Sequence, residues 1–270
     1  MNVMVGVPTI TNRMTIQVQR FMDLLRVASQ ATDVDFKVRF SVQNGKSPVE
    51  YARNTIVGDF LRSDCEHLLF IDDDMLPQDS VARLFHSKAD ITAAQIYTFD
   101  HSNPEASVTV GLKLCALKAN GNGFYSPLIP APGSSAVQDV DVVGTGCTLV
   151  ARRVLEDRRM WLDGAYLNVD GTAADANVDE GGPEFAPAVF QWRRAPNGAS
   201  IMGEDFDFCE RAKALGYSIQ VDLNARCGHY KSINIDEAGD LAGHVLARAF
   251  RGMKGQDGKI YRYVAEEATA

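Results

Sequence analysis

No apolar run in this 270-residue chain approaches the roughly 20 residues needed to cross a bilayer. The N-terminus, Met1-Asn2-Val3-Met4-Val5-Gly6, lacks the basic segment and long apolar segment of a secretory signal and reads directly as a first strand. There is no CxxC pair. Cys65, Cys115, Cys147, Cys209 and Cys227 are odd in number and widely spaced, which argues against a zinc ribbon and against a disulfide framework. Reduced, mostly buried thiols in a cytosolic protein are the expectation. Positive charge is in deficit, at a formal net −8, so the chain is not built for tight non-specific binding to nucleic acid. The pairs Arg152-Arg153, Arg158-Arg159 and Arg193-Arg194 read as solvated surface. Internal repeats, low-complexity tracts and linker-like segments are missing too.

What remains is a globular composition, 46% hydrophobic and 23% charged, long enough to bury a substantial core in one large α/β domain. Val3–Val7 reads as a strand ending at Pro8-Thr9. Residues 15–29 place Val18, Phe21, Met22 and Leu25 at helical spacing. Phe36, Val38, Phe40 and Val42 alternate as in a half-buried strand, with a turn at Gln43-Asn44-Gly45. Ser47-Pro48-Val49-Glu50 is a capping box with proline at the first helical position. A helix over 80–86 and a strand over 89–96 complete a βαβαβαβ pattern, which predicts a parallel, doubly wound sheet with ligands at the strand carboxyl ends.

The second half is less regular. A strand is expected over 108–117, loop over 119–135, Val140–Val143 leading into Gly144-Thr145-Gly146, and a helix from near Arg152. Residues 163–187 suit a loop over a site. A helix over 203–216 and a strand over 217–221 follow. One domain over 1–230 is expected, with a helical extension over 231–270 whose Leu241, Val245, Leu246 and Phe250 stripe packs on the domain or, less simply, contacts a membrane or a second subunit of a homo-oligomer.

The chemistry concentrates in three places. Leu68-Leu69-Phe70-Ile71 reads as a strand buried on both faces, and Asp72-Asp73-Asp74 stands where it leaves the sheet. Adjacent carboxylates need a cation, and a hard divalent ion completed by phosphates is the simplest partner; an acidic turn is the plain alternative. Gly203-Glu204-Asp205 opens a helix in which Asp205, Phe208, Cys209 and Ala212 share a face, so Asp205 is expected inward and Glu204 nearer its mouth, with Asp207 and Glu210 serving the helix dipole. An inward carboxylate can accept a proton from a hydroxyl. Arg226-Cys227-Gly228-His229-Tyr230 then offers His229, a common type of metal ligand. Arg53, within the apolar face of its helix, needs an anionic partner, either an internal carboxylate or a bound nucleotide.

In this order these pieces resemble the nucleotide-sugar-dependent glycosyltransferases of the GT-A fold, particularly the glycosyltransferase 2-like group. The resemblance rests on Phe70-Ile71-Asp72-Asp73-Asp74-Met75 with its DxD motif, Gly203-Glu204-Asp205 and His229. Val5-Gly6-Val7-Pro8-Thr9, Ala52-Arg53-Asn54 and Val143-Gly144-Thr145-Gly146 add to it. It implies a Rossmann-like, mostly parallel central sheet flanked by helices, with an elaborated acceptor-side half. It implies a nucleotide-sugar donor, a UDP-sugar being favoured, beside Pro8, Thr9 and Arg53. Asp72 or Asp73 would approach the ribose, and Asp74, with Asp72, would hold Mn²⁺ or Mg²⁺. His229 would complete the metal site, Gly146 would border the sugars, Asp205 would be the base of an inverting reaction, and Glu204 would contact the acceptor. The acceptor would be a glycan, protein or small molecule, and a hydroxymethylated DNA base stays open. The three consecutive aspartates leave the ligand pair and the stereochemical outcome open. An inactive nucleotide-sugar-binding module is the non-enzyme alternative. Leu76, where a dehalogenase-type phosphatase has Thr or Val, and Pro8-Thr9-Ile10-Thr11-Asn12-Arg13, where a nucleotidyltransferase has a glycine-rich basic loop, count against those two readings.

Overall fold

The computed structural model describes residues 1–9, 14–30, 36–44, 49–100, 111–121, 124–131, 133–162, 165–167, 173–175, 187–194 and 200–230. The chain divides into two compact units, Met1–Ile96 with Leu114–Tyr230, and Tyr97–Lys113 with Lys231–Ala270. The described residues of the second unit lie in a two-stranded pair, Tyr97–Asp100 with Gly111–Leu114. The stripe at Leu241–Phe250, and Ser47-Pro48 of the capping box, lie outside the described residues. No helix among the described residues is long and apolar enough to cross a membrane.

The first unit is an α/β structure on a large, mostly parallel sheet flanked by helices. Its elements are β1 (Asn2–Thr9), α1 (Ile16–Gln30), β2 (Lys37–Asn44), α2 (Val49–Leu61), β3 (His67–Ile71), β4 (Met75–Pro77), β5 (Ile91–Gln95), β6 (Val137–Asp139), β7 (Cys147–Ala151), α3 (Arg152–Glu156), α4 (Glu204–Ala214) and β8 (Ile219–His229). The sheet order is β6-β8-β5-β7-β3-β1-β2, with β4 pairing β8 outside that path. β1, β2, β3, β5 and β8 run one way, while β7 and β6 run against them.

Side-chain alternation builds a core on each face. Leu68 and Phe70 of β3 join Ile56, Val57 and Phe60 of α2, Val154 and Leu155 of α3, and Phe208 and Ala212 of α4. Leu69 and Ile71 face Val18, Phe21, Met22 and Leu25 of α1. Burial on both faces is why β3 is an uninterrupted apolar run. Phe190 extends the first core, stacked on Phe208 at 4.6 Å and edge-on to Phe70 at 5.4 Å. Asn54 of α2, fully buried, accepts hydrogen bonds from the Val189 and Phe190 amides at 3.0 and 2.8 Å and donates to the Phe190 carbonyl at 2.7 Å. It thereby satisfies three main-chain groups of an irregular segment that enters the core.

Several expectations are corrected. The sheet is mostly parallel as expected, but β7, which periodicity did not reveal, inserts antiparallel between β3 and β5. Being antiparallel, it delivers its leading turn, Gly144–Gly146, to the carboxyl edge of β3, where Cys147 pairs with Ile71. The helix expected over 80–86 is a 3₁₀ helix, Asp79–His86. The strand expected over 108–117 is broken at Cys115, and the stretch beyond it contains a strand, Tyr125–Pro127, paired with Ala116–Ala119. Within 163–187 the described residues form the pair Ala165–Leu167 and Ala173–Asp175. The last strand runs on to His229 because its first half pairs with β5 and its end with β4.

Gly6 marks the closest approach of helix to sheet: a Cβ there would lie 2.4 Å from Ile56 Cγ2. Overpacking of this kind costs about 1–3 kcal/mol. Gly6→Ala is therefore expected to lower the urea midpoint at unchanged slope, and an unshifted midpoint would show that α2 yields freely.

Candidate functional site

The triple aspartate does not act as one cluster; the chain turns between the three residues and sends them to different partners. Asp72 receives Arg53 Nη2 on both carboxylate oxygens, at 3.1 and 3.0 Å. Asp73 and Asp74 border a cleft of about 470 Å³ at the start of α1, with Met14, Thr15, Leu76 and Tyr230. Asp74 Oδ2 lies 3.1 Å from His229 Nε2, a contact spanning 155 residues of chain. The β8–β4 pairing creates it: His229 is in register with Met75, and the Tyr230 amide donates to the Asp74 carbonyl at 2.8 Å.

Arg53 lies at the centre, 3% exposed, reaching the site from α2. Besides Asp72 it donates through Nη1 to Glu204 Oε1 at 2.5 Å and to Asp205 Oδ1 at 3.3 Å. Burial disfavours its charge, but the Asp72, Asp205 and Glu204 carboxylates outweigh burial and raise its pKa. One guanidinium does not neutralise three acids. Burial raises the Asp72 pKa, helped by Asp205 and Asp74, against the pull of Arg53. Burial and the Asp205 charge likewise raise Glu204 against Arg53. Both shifts mean that the one guanidinium does not fully offset burial and the repulsion among the carboxylates.

The helix carrying the two acids is placed with the opposite burial from that expected: the Glu204 side chain is 10% exposed and that of Asp205 27%. Glu204 is drawn in by Arg53, a pairing between distant segments that helical periodicity does not register. Asp205 Oδ1 accepts hydrogen bonds from Thr145 Oγ1 and Arg53. Its Oδ2 accepts none among the described residues and lies 3.8 Å from where a Gly144 Cβ would stand. Asp207 does more than serve the helix dipole: it is buried and receives Arg193 and Arg211, and Glu210 receives Tyr125 Oη and Arg193.

The other expected residues can be placed as well. Pro8 and Thr9 end β1 buried, and Thr9 Oγ1 has no hydrogen-bond partner among the described residues. Gly146 packs against the aspartate turn. Its carbonyl accepts the Asp72 amide at 2.9 Å, and a Cβ there would lie 2.7 Å from Met75 Cε and 3.2 Å from Asp72 Oδ2. Sequence reading missed Thr145 as a partner of Asp205 and Asn54 as the anchor of Phe190. Asn54 left one trace, its place beside Arg53 in the stretch Ala52-Arg53-Asn54.

A metal would find two protein donors here, Asp74 Oδ2 and His229 Nε2. In the structure these two groups are joined to each other by a hydrogen bond of 3.1 Å, which an ion held by both would replace. Asp72 is turned to Arg53, so the described residues bring no three-residue ligand cluster together. The remaining positions would fall to a ligand and water, as is usual for a hard ion bound with phosphates.

No family model and no curated protein matches the sequence. Among solved structures the chain is similar to A197 from STIV, at 14% identity over 86% of this chain and 87% of that one, with a TM-score of 0.47. It is similar to GalNAc-T7 in complex with UDP, GalNAc and Mn²⁺, at 12% identity over 91% of this chain and 48% of that one, TM-score 0.44. It is also similar to the inositol-1-phosphate CTP transferase from T. maritima, at 11% identity over 89% and 95% of the two chains, TM-score 0.36.

Removing Arg53 leaves buried carboxylates uncompensated, a loss of about 3–5 kcal/mol for a broken buried pair. Carboxylates whose folded pKa is raised favour the fold below their unfolded pKa, and that contribution fades as pH rises through the folded value. Without Arg53 the upward shift of Asp72 and Glu204 is larger still. The stability gap between the wild type and Arg53→Ala is therefore expected to be widest at pH 7 and to narrow toward pH 4. A gap independent of pH in urea unfolding would contradict this charge balance.

Proposed function

We propose that this chain is a metal-dependent glycosyltransferase of the GT-A type, which moves a sugar from a nucleoside-diphosphate sugar to an acceptor hydroxyl. The observation that carries the reading is the meeting of Asp74 with His229 at the carboxyl edge of the sheet, beside a pocket in which three carboxylates share one guanidinium. Asp74 and His229 would hold Mn²⁺ or Mg²⁺. The bound ion supplies positive charge against the departing nucleoside diphosphate. The cleft at the start of α1 would take the nucleotide. There Thr15 Oγ1 caps the helix through the Val18 amide, at 3.2 Å, and the positive end of the helix dipole favours phosphate. A UDP-sugar is the favoured donor, in line with the sequence resemblance.

Asp205 takes the acceptor proton. Thr145 and Arg53 hold Oδ1 and fix the carboxylate plane, leaving Oδ2 to meet the hydroxyl. Glu204 is a positioning residue in this scheme: its carboxylate orients Arg53, which in turn orients Asp72 and Asp205. Gly146 leaves room for the Asp72 carboxylate in the aspartate turn.

A thermal-shift panel of UDP-, GDP-, CMP- and dTDP-sugars, each with Mn²⁺ or with EDTA, tests the donor site. Ligand at a hundredfold excess over Kd adds ~2.7 kcal/mol of stability. One nucleotide family is expected to raise Tm with Mn²⁺ and not with EDTA, and Asp74→Ala and His229→Ala are expected to lose that shift. Asp205→Asn is expected to keep it while transfer falls about 10²–10⁴-fold, the usual contribution of a positioned base. Undiminished turnover by Asp205→Asn would remove the base assignment. A panel with no donor shift would overturn the donor site, and a Mn²⁺-dependent shift without transfer would favour the inactive binding module.

A further inference from the structure

We infer that Trp192 is a stacking platform for the acceptor, and that the acceptor is a neutral carbohydrate rather than a nucleic acid. The inference rests on the glycosyltransferase reading and narrows its acceptor class.

Trp192 packs on the entry to α4. Its indole carbons lie 3.9 and 4.0 Å from where a Gly203 Cβ would be, so the ring lies against the residue immediately before Glu204 and Asp205. The side chain nevertheless remains 38% exposed. Trp161, the other tryptophan of the sequence, is instead secured by a hydrogen bond from its indole N–H to the Leu155 carbonyl at 2.8 Å. The exposed ring thus stands against Gly203, two residues before the candidate base Asp205, where an acceptor reaching that carboxylate would cover it. Phe206, the residue after Asp205, adds a second aromatic group, edge-on to Tyr125 at 5.6 Å.

Aromatic faces are electron-rich and receive the polarised C–H groups of a sugar ring, but they also stack nucleobases. Charge separates the two. A nucleic acid needs cations along its phosphates. Beside α4, Arg193 is held by Asp207 and Glu210, Arg211 by Asp207, and Arg53 by Asp72, Glu204 and Asp205. These three guanidinium groups are committed to carboxylates, in a chain of net charge −8. Among the described side chains, that surface favours an uncharged, hydroxyl-rich ligand with apolar ring faces over a polyanion.

The test uses Trp161→Phe, which leaves Trp192 as the sole tryptophan, with the fold checked by circular dichroism. Its fluorescence is titrated with neutral oligosaccharides of glucose, mannose, galactose and N-acetylglucosamine, and with a single-stranded DNA oligonucleotide, without donor or metal. A saturable change with a glycan and none with DNA is expected. By calorimetry on the otherwise native chain, Trp192→Ala is expected to bind that glycan roughly tenfold more weakly and Trp192→Phe to retain most of the affinity. Saturation by the oligonucleotide alone, or no response to any ligand, would overturn the inference. The Mn²⁺-dependent donor shift is measured separately, so a failed platform with an intact donor site, or the converse, tells the two readings apart.

Discussion

A single buried guanidinium organises this molecule. Arg53 approaches from α2 and ties together Asp72, at the end of β3, with Glu204 and Asp205, at the start of α4. These groups come from three distant parts of the chain, and none could be buried with its charge alone. The arrangement is under-neutralised by design of its composition: three acids share one base, so Asp72 and Glu204 are held above the usual carboxylate range. Stability is given up locally, at the place where the proposed function would seat a cation.

The sheet explains how the remaining groups arrive. Parallel strands bring β1 and β3 to a common carboxyl edge, with Thr9 and Asp72 upon it. The reversed β7 brings its leading turn to that edge, so Gly146 meets Asp72 and Thr145 meets Asp205. β8 overruns the edge and, pairing with β4, sets His229 beside Asp74. Strands of two directions and different lengths thus converge on one place, and their register positions the turns that carry Asp72, Asp74 and Thr145. Preorganisation of this kind, on strands and a helix terminus, suits a reaction in which charge develops at defined atoms.

Much of this was legible from residue order. The apolar run Leu68–Ile71 followed by aspartates marked a buried strand ending at a ligand edge, because only a strand covered on both faces tolerates four consecutive apolar side chains. Helical spacing in α1 and α4 identified their buried faces. Asp74 and His229 were proposed as partners, and the structure brings them together. The failures share a cause. β7 escaped notice because the buried Thr148 breaks the apolar run that made β3 legible, and the segment shows no alternation either. Glu204 was assigned to the mouth of its helix face because the angle around a helix says nothing about a guanidinium arriving from another helix. Asp207 was read as a dipole partner, while Arg193 and Arg211 in fact neutralise it.

The residues that could carry chemistry, the core-facing sides of α1 and α2 and the edge at which a ligand would sit were set by local order, since periodicity and strand termination are properties of neighbouring residues. Which aspartate faces the histidine, which carboxylate is free to take a proton, and where the reversed strand enters the sheet were decided only in the folded chain. Those outcomes depend on register and on charge balance among segments more than a hundred residues apart, and no short window of sequence contains them.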